Sequence, residues 1–91
     1  MMTCEKYFED ALNNVPADTK LRVEMSMDIS DRIASILKRR GLSQKDFAKL
    51  MGKTEAEVSR WLGGTHNFTL STLAKISTSL NERIVTVNHV S

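Results

Sequence analysis

Gln44 opens the one stretch in which residue types and spacing together point to chemistry. Counting Gln44 as the first position, Ala48 falls fifth, Gly52 ninth and Val58 fifteenth. That spacing puts a small side chain where two short helices touch, a residue able to take positive φ in the turn between them, and an apolar anchor under the second helix. A lone glycine after a helix says little. With Ser43 and Thr54 placed to cap both helices, the three positions specify a helix-turn-helix. In such a unit the first helix crosses a DNA backbone and the second enters the major groove. Its chemistry is hydrogen bonding to base edges and phosphates, not bond making.

Bond-making chemistry has little to work with. Cys4 is the only cysteine, which excludes an intrachain disulfide and a cysteine-rich zinc cluster and suits a reducing cytoplasm. His66 and His89 do not stand at metal-ligand spacing, and no acid, base and nucleophile converge. Neither an enzyme nor a cofactor is expected. No apolar run approaches the ~18 to 20 residues of a membrane span. The first twenty residues are acidic and polar where a signal peptide is basic and then apolar. The expectation is a cytoplasmic chain without membrane contact.

Ninety-one residues suffice for one small helical core, with little to spare. Charge is unevenly spread: residues 1–28 carry three basic and six acidic side chains, and residues 29–66 carry eight and four. A basic middle behind an acidic front suggests an anionic partner for the middle.

The elements that must position the motif follow from periodicity and caps. Glu5 to Val15 places Tyr7 or Phe8, Ala11, Leu12 and Val15 at helical spacing, punctuated by Asn13, Asn14 and Pro16. From Ala17 two patterns compete. Leu21, Val23, Met25 and Met27 alternate like a strand, whereas Leu21, Met25, Ile29, Ile33 and Leu37 recur every fourth residue like a helix. The helix is favoured, because Pro16 and Asp18 suit a helix start. Asp28 to Arg40 is the most regular helix, ending in Lys38, Arg39 and Arg40 before Gly41. The basic triplet reads either as a dipole-complementing terminus or as a phosphate clamp.

Ser43 caps Gln44 to Met51, with Leu42 and Phe47 as a hydrophobic staple. Thr54 and Glu57 form a capping box for Glu55 to Leu62, and Thr69 caps Leu70 to Leu80 with a Phe68–Leu73 staple. Glu82 to Val90 is β-branched and partly alternating, and so predicts a strand.

The segment Leu42–Leu80, LSQKDFAKLMGKTEAEVSRWLGGTHNFTLSTLAKISTSL, resembles the helix-turn-helix domain of the Cro/CI (Xre) repressor family. The marks are Leu42-Ser43-Gln44, Ala48, Gly52, Val58-Ser59, Gly64, Asn67 and Leu73. The GTHNFTLSTLAKI segment and β-rich end are also similar to HigA-like antitoxins. The resemblance implies an all-α, lambda-repressor-like domain of about five helices. It would comprise an N-terminal helical extension (1–27), the helix-turn-helix domain (28–81) and a short C-terminal strand (82–91). It further implies a repressor on a palindromic operator, or alternatively an antitoxin whose main role is to neutralise a small basic toxin.

Carried over by position, the resemblance implies base reading by Gln44, Glu55, Ala56 and Arg60. It implies phosphate contacts by Lys45, Lys53, Thr54, Ser59, His66 and Asn67. Glutamine suits adenine, arginine suits guanine, and alanine can touch a thymine methyl. Glu55 and Glu57 beside Arg60 are unfavourable near a polyanion. Glu57 is excused if it bends back onto Thr54, and Glu55 if it accepts a bond from cytosine N4. Trp61 shares the phase of Val58 and Leu62 and belongs in the core. At His66 and Asn67, turn chemistry competes with phosphate binding. A homodimer on double-stranded DNA is expected, with Arg83 to Asn88 as the seam, since pairing would remove an exposed strand edge.

Overall fold

A computed structural model describes residues 15–88 of the chain. The helix expected from Glu5 lies outside these residues except for Val15, which stands in a bend. Pro16, at φ −55° and ψ 146°, leads into helix α1 (Ala17–Arg40), with Asp18 in the first turn where a negative charge suits the helix dipole. The alternating Leu21–Met27 stretch is therefore helical. The helix runs for 24 residues and passes Met27 and Asp28 without a break. Three short helices follow: α2 (Gln44–Met51), α3 (Glu55–Leu62) and α4 (Leu70–Leu80). Among the described residues there are thus four helices, not about five; the helix expected from Glu5 lies outside them, and the segments on either side of Asp28 form one helix.

The burial pattern of α1 explains why its apolar stripe divides. At 3.6 residues per turn, a stripe on every fourth residue drifts by ~40° at each step. Ile33, Ile36 and Leu37 are buried, whereas Leu21 and Met25 at the other end of the stripe are exposed. The buried face is continued toward the N-terminus by Ser26 and Ser30. The core consists of this face with Phe47 and Ala48 of α2, Val58 and Trp61 of α3, and Leu73, Ile76 and Leu80 of α4.

The three caps are present. Ser43 Oγ accepts from the Asp46 amide at 3.0 Å, and Asp46 Oδ2 accepts from the Ser43 amide at 3.0 Å, which closes a full capping box. Thr54 and Thr69 accept from the amides of Glu57 and Thr72 at 3.1 and 3.2 Å. Helix α4 ends on Asn81, which takes the left-handed conformation (φ 53°) that asparagine tolerates better than most residues.

Among the described residues the chain after Asn81 forms no strand, contrary to the expectation for Glu82 to Val90. Its β-branched composition reflects what suits a pleated surface, but a strand needs a ladder partner, and here side chains take the backbone groups instead. Arg32 donates to the Arg83 carbonyl at 3.1 Å, and the Ile84 amide donates to Ser77 Oγ at 3.3 Å. Ile84 is buried in the core. Ahead of it, Glu82 accepts from Arg39 Nη2 at 2.6 Å and from Arg40 Nε at 3.1 Å, with Arg32 Nη2 at 3.7 Å. The terminus of α1 is thus neither a simple dipole complement nor an open clamp: two of its three basic residues hold this carboxylate.

Removing that charge leaves three guanidinium groups facing one another. Glu82→Gln is expected to lower stability by about 1–2 kcal/mol in urea unfolding at low salt, with the loss shrinking as salt is added. An unchanged midpoint at low salt would mean that Ile84 alone secures the segment.

Candidate nucleic-acid interface

Helix α3 spans eight residues, too short to persist alone, so its position depends on what it buries. Val58 is fully buried and Trp61 nearly so. The Trp61 ring meets Phe47 of α2 edge to face, with centroids 6.0 Å apart. Helices α2 and α3 are joined by a tight turn at Gly52, whose φ of 67° is one that side chains other than glycine resist. The Gly52 and Lys53 amides close the end of α2 onto Lys49 and Ala48. Ala48 is buried where α2 meets the core. The fifth, ninth and fifteenth positions of the motif therefore have the environments that their spacing predicts.

The C-terminal end of α3 is held differently. Its last turn leaves carbonyl groups without partners inside the helix. Ser30 of α1 donates its hydroxyl to the Trp61 carbonyl at 2.6 Å, a buried bond spanning 31 residues of sequence. Sequence reasoning missed this contact, because a serine on the apolar face of a helix gives no local signal.

With Val58 and Trp61 turned inward, Glu55, Ala56, Ser59 and Arg60 are exposed on the opposite arc of α3. Gln44 joins them: its Nε2 donates to the Glu55 carbonyl at 3.3 Å, which ties the start of α2 to the start of α3. Thr54 donates its hydroxyl to Glu57 Oε1 at 3.2 Å, and Lys53 Nζ stands 4.0 Å from Glu57 Oε2. Glu57 thus bends back onto the cap, while Glu55 remains exposed. Lys45 is exposed on the first turn of α2. His66 and Asn67 lie in the loop from α3 to α4, where the half-buried His66 ring stands edge-on to Phe68 at 4.8 Å and Asn67 is exposed. Among the described residues no group of three or more histidine, cysteine, aspartate or glutamate side chains is placed to hold a metal ion. No helix there is long and apolar enough to cross a membrane.

A helix-turn-helix family model matches residues 33–86, more than half of the chain. The protein belongs to the Cro/CI-type (Xre) helix-turn-helix family. Searches of curated proteins and of solved structures return no match. This helix-turn-helix family is one of DNA-binding transcriptional regulators, not of enzymes. The match is to the family as a whole and does not single out the HigA-like antitoxins.

The helix-turn-helix has two features that can be tested without DNA. Ser30→Ala strands a buried carbonyl and is expected to cost about 1–3 kcal/mol in urea unfolding; a loss below the error of the fit would show that the bond does not secure α3. The second is the Asp46 capping box. The Ser43 amide, then the Ser43 hydroxyl, and then the charges of Lys49 and Lys45 hold the Asp46 carboxyl below its usual value of 3.8. Because the folded value is the lower one, the cap contributes fully above the ordinary aspartate range and fades as pH falls through the folded value. The stability difference between wild type and Asp46→Asn should therefore be present near neutral pH and close in that acidic window. A difference independent of pH there would rule out the charged cap.

Proposed function

We propose that the protein is a sequence-specific transcriptional repressor that binds a palindromic operator as a homodimer, with α3 in the major groove. The observation that carries the reading is the exposed arc of α3, anchored from behind by Val58 and Trp61 and braced at its start by Gln44. A monomer with an eight-residue recognition helix reads only a few base pairs. Two copies on half-sites ~34 Å apart supply the rest.

Each side chain has a distinct task in this reading. Arg60 gives two parallel hydrogen bonds to guanine O6 and N7, Ala56 meets a thymine methyl, and Glu55 accepts from cytosine N4. Gln44 spends one amide hydrogen on Glu55 and keeps its carbonyl and second hydrogen for adenine. Lys45, Lys53, Thr54, Ser59, His66 and Asn67 face phosphates and set the register. The starts of α2 and α3 add main-chain amides and positive dipole ends.

The electrostatics favour selectivity over strength. Arg32, Arg39 and Arg40 are engaged with Glu82. Lys45, Lys49, Lys53 and Arg60 remain on the two motif helices and the turn, opposed by Asp46, Glu55 and Glu57. Few phosphates are then neutralised, so binding should depend less steeply on salt than in a strongly basic DNA-binding domain.

Reading and holding are separable by salt titration. Arg60→Ala is expected to cost about 1–3 kcal/mol at one base pair of a site selected from random DNA and to relax preference at that pair alone. Lys53→Ala should weaken cognate and scrambled sites alike and lower the slope of log K against log salt by about one. Equal weakening of every sequence by Arg60→Ala would make Arg60 a phosphate contact and leave reading to Gln44, Glu55 and Ala56.

A further inference from the structure

The N-terminal half of α1 carries an apolar face that the described residues leave largely open. Leu21, Met25 and Ile29 of α1, with Phe68, Leu70 and Leu73 from the loop and α4, line a groove of about 320 Å³. Leu21 is 56%, Met25 54% and Leu70 81% exposed, and apolar surface gathered this way is costly in water. Charges border it. Asp18 and Arg22 stand on the rim, and Asp28 is exposed three residues beyond Met25. Among the described residues none of these three is in an ion pair.

We propose that a second copy of the chain covers this face, its α1 lying antiparallel on the first with a two-fold axis through Met25. This supplies the seam of the repressor homodimer and rests on that reading of the function. Charge selects the occupant. Residues three, four and seven positions from Met25 share its face of the helix. About a two-fold axis there, each meets the residue of the second copy that lies equally far on the other side of Met25. Leu21 packs on Ile29 of the second copy, and Met25 on Met25. Arg22 meets Asp28 and Asp18 meets Arg32, opposite charges in both cases, and symmetry forms each pair twice. The Arg32 side chain is 44% exposed beside Glu82 and so is open to a second carboxylate. Sliding the second helix by one turn in either direction would set Asp18 against Asp28, or Arg22 against Arg32, like against like. The face therefore encodes one register of self-association. Arg83 and Ile84, at the start of the seam expected from the sequence, are tied to α1 and α4 of their own chain instead.

The place of Met25 on the axis makes the test direct. Helices packed ~8–10 Å apart, with Cα atoms ~2.3 Å from each helix axis, bring the two Cα atoms of position 25 to ~4–6 Å, within reach of a disulfide. In the full chain carrying Cys4→Ser, Met25→Cys should join two copies under mild oxidation at least about tenfold faster than Leu50→Cys, a similarly exposed position on α2. Sedimentation at low salt should show a dimer that Arg22→Asp and Asp28→Arg each weaken by about tenfold in dissociation constant. Combining Arg22→Asp with Asp28→Arg should restore it. Equal cross-linking rates for the two thiols, or a combined variant no better than either single one, overturns the proposal. A monomeric parent chain whose thiol at position 25 reacts slowly with an alkylating reagent also overturns it, in favour of the chain's own N-terminal segment as the cover. Stoichiometry on the selected duplex separates the two readings. Two copies per duplex without the cross-link or the charge rescue overturns the seam alone, whereas one copy per duplex overturns the homodimer with it.

Discussion

Everything the exposed arc of α3 can do depends on the burial of Val58 and Trp61 against α1 and α2. A two-turn helix has almost no intrinsic stability, so its orientation is set by the packing behind it. Full burial of side chains of this size contributes roughly 1.5–3 kcal/mol each, which offsets part of the roughly 1–2 kcal/mol per residue that ordering the segment costs. The Gly52 turn fixes the angle between α2 and α3, and the Gln44 and Ser30 hydrogen bonds hold the two ends of α3. Glu55, Ala56, Ser59 and Arg60 inherit their common outward direction from these contacts and make little contribution to the fold themselves.

Charge is divided along the same lines. The basic surplus of residues 29–66 suggests a broad anion-binding surface, yet three of its arginines converge on Glu82 and serve to bind the segment after α4 to α1. Beside this contact Ile84 enters the core, within the family match that ends at residue 86. What remains at the motif is a small excess of positive charge, arranged around two helix starts. Such a surface suits a protein that finds its site through base contacts and main-chain amides more than through bulk attraction.

How much of this was legible in the sequence depended on distance along the chain. The caps at Ser43, Thr54 and Thr69, the turn at Gly52 and the inward phase of Trp61 are each encoded within three to six residues, and all were readable. The division of α3 into a buried and an exposed arc followed from the same phase. The contacts that decide the rest span far more sequence. Ser30 meets Trp61 across 31 residues, and Arg39 meets Glu82 across 43. No local rule links a serine to a distant carbonyl or a basic helix end to a particular carboxylate. The strand expected from Glu82 does not form among the described residues for a related reason: propensity is present, but no ladder partner stands beside the segment there, and side chains of α1 and α4 take its backbone groups instead.

The central claim is that DNA meets the protein on the arc organised by Gln44 and α3. It is tested most directly by following the amide and side-chain NMR signals of the full chain as a duplex selected from random DNA is added. The account predicts that the largest changes fall on Gln44, Lys45, Lys53 to Ala56, Ser59, Arg60 and the loop at His66 and Asn67, with the arginines around Glu82 little affected. Changes centred instead on Arg32, Arg39 and Arg40, or on the outer face of α4, with α3 undisturbed, would contradict it.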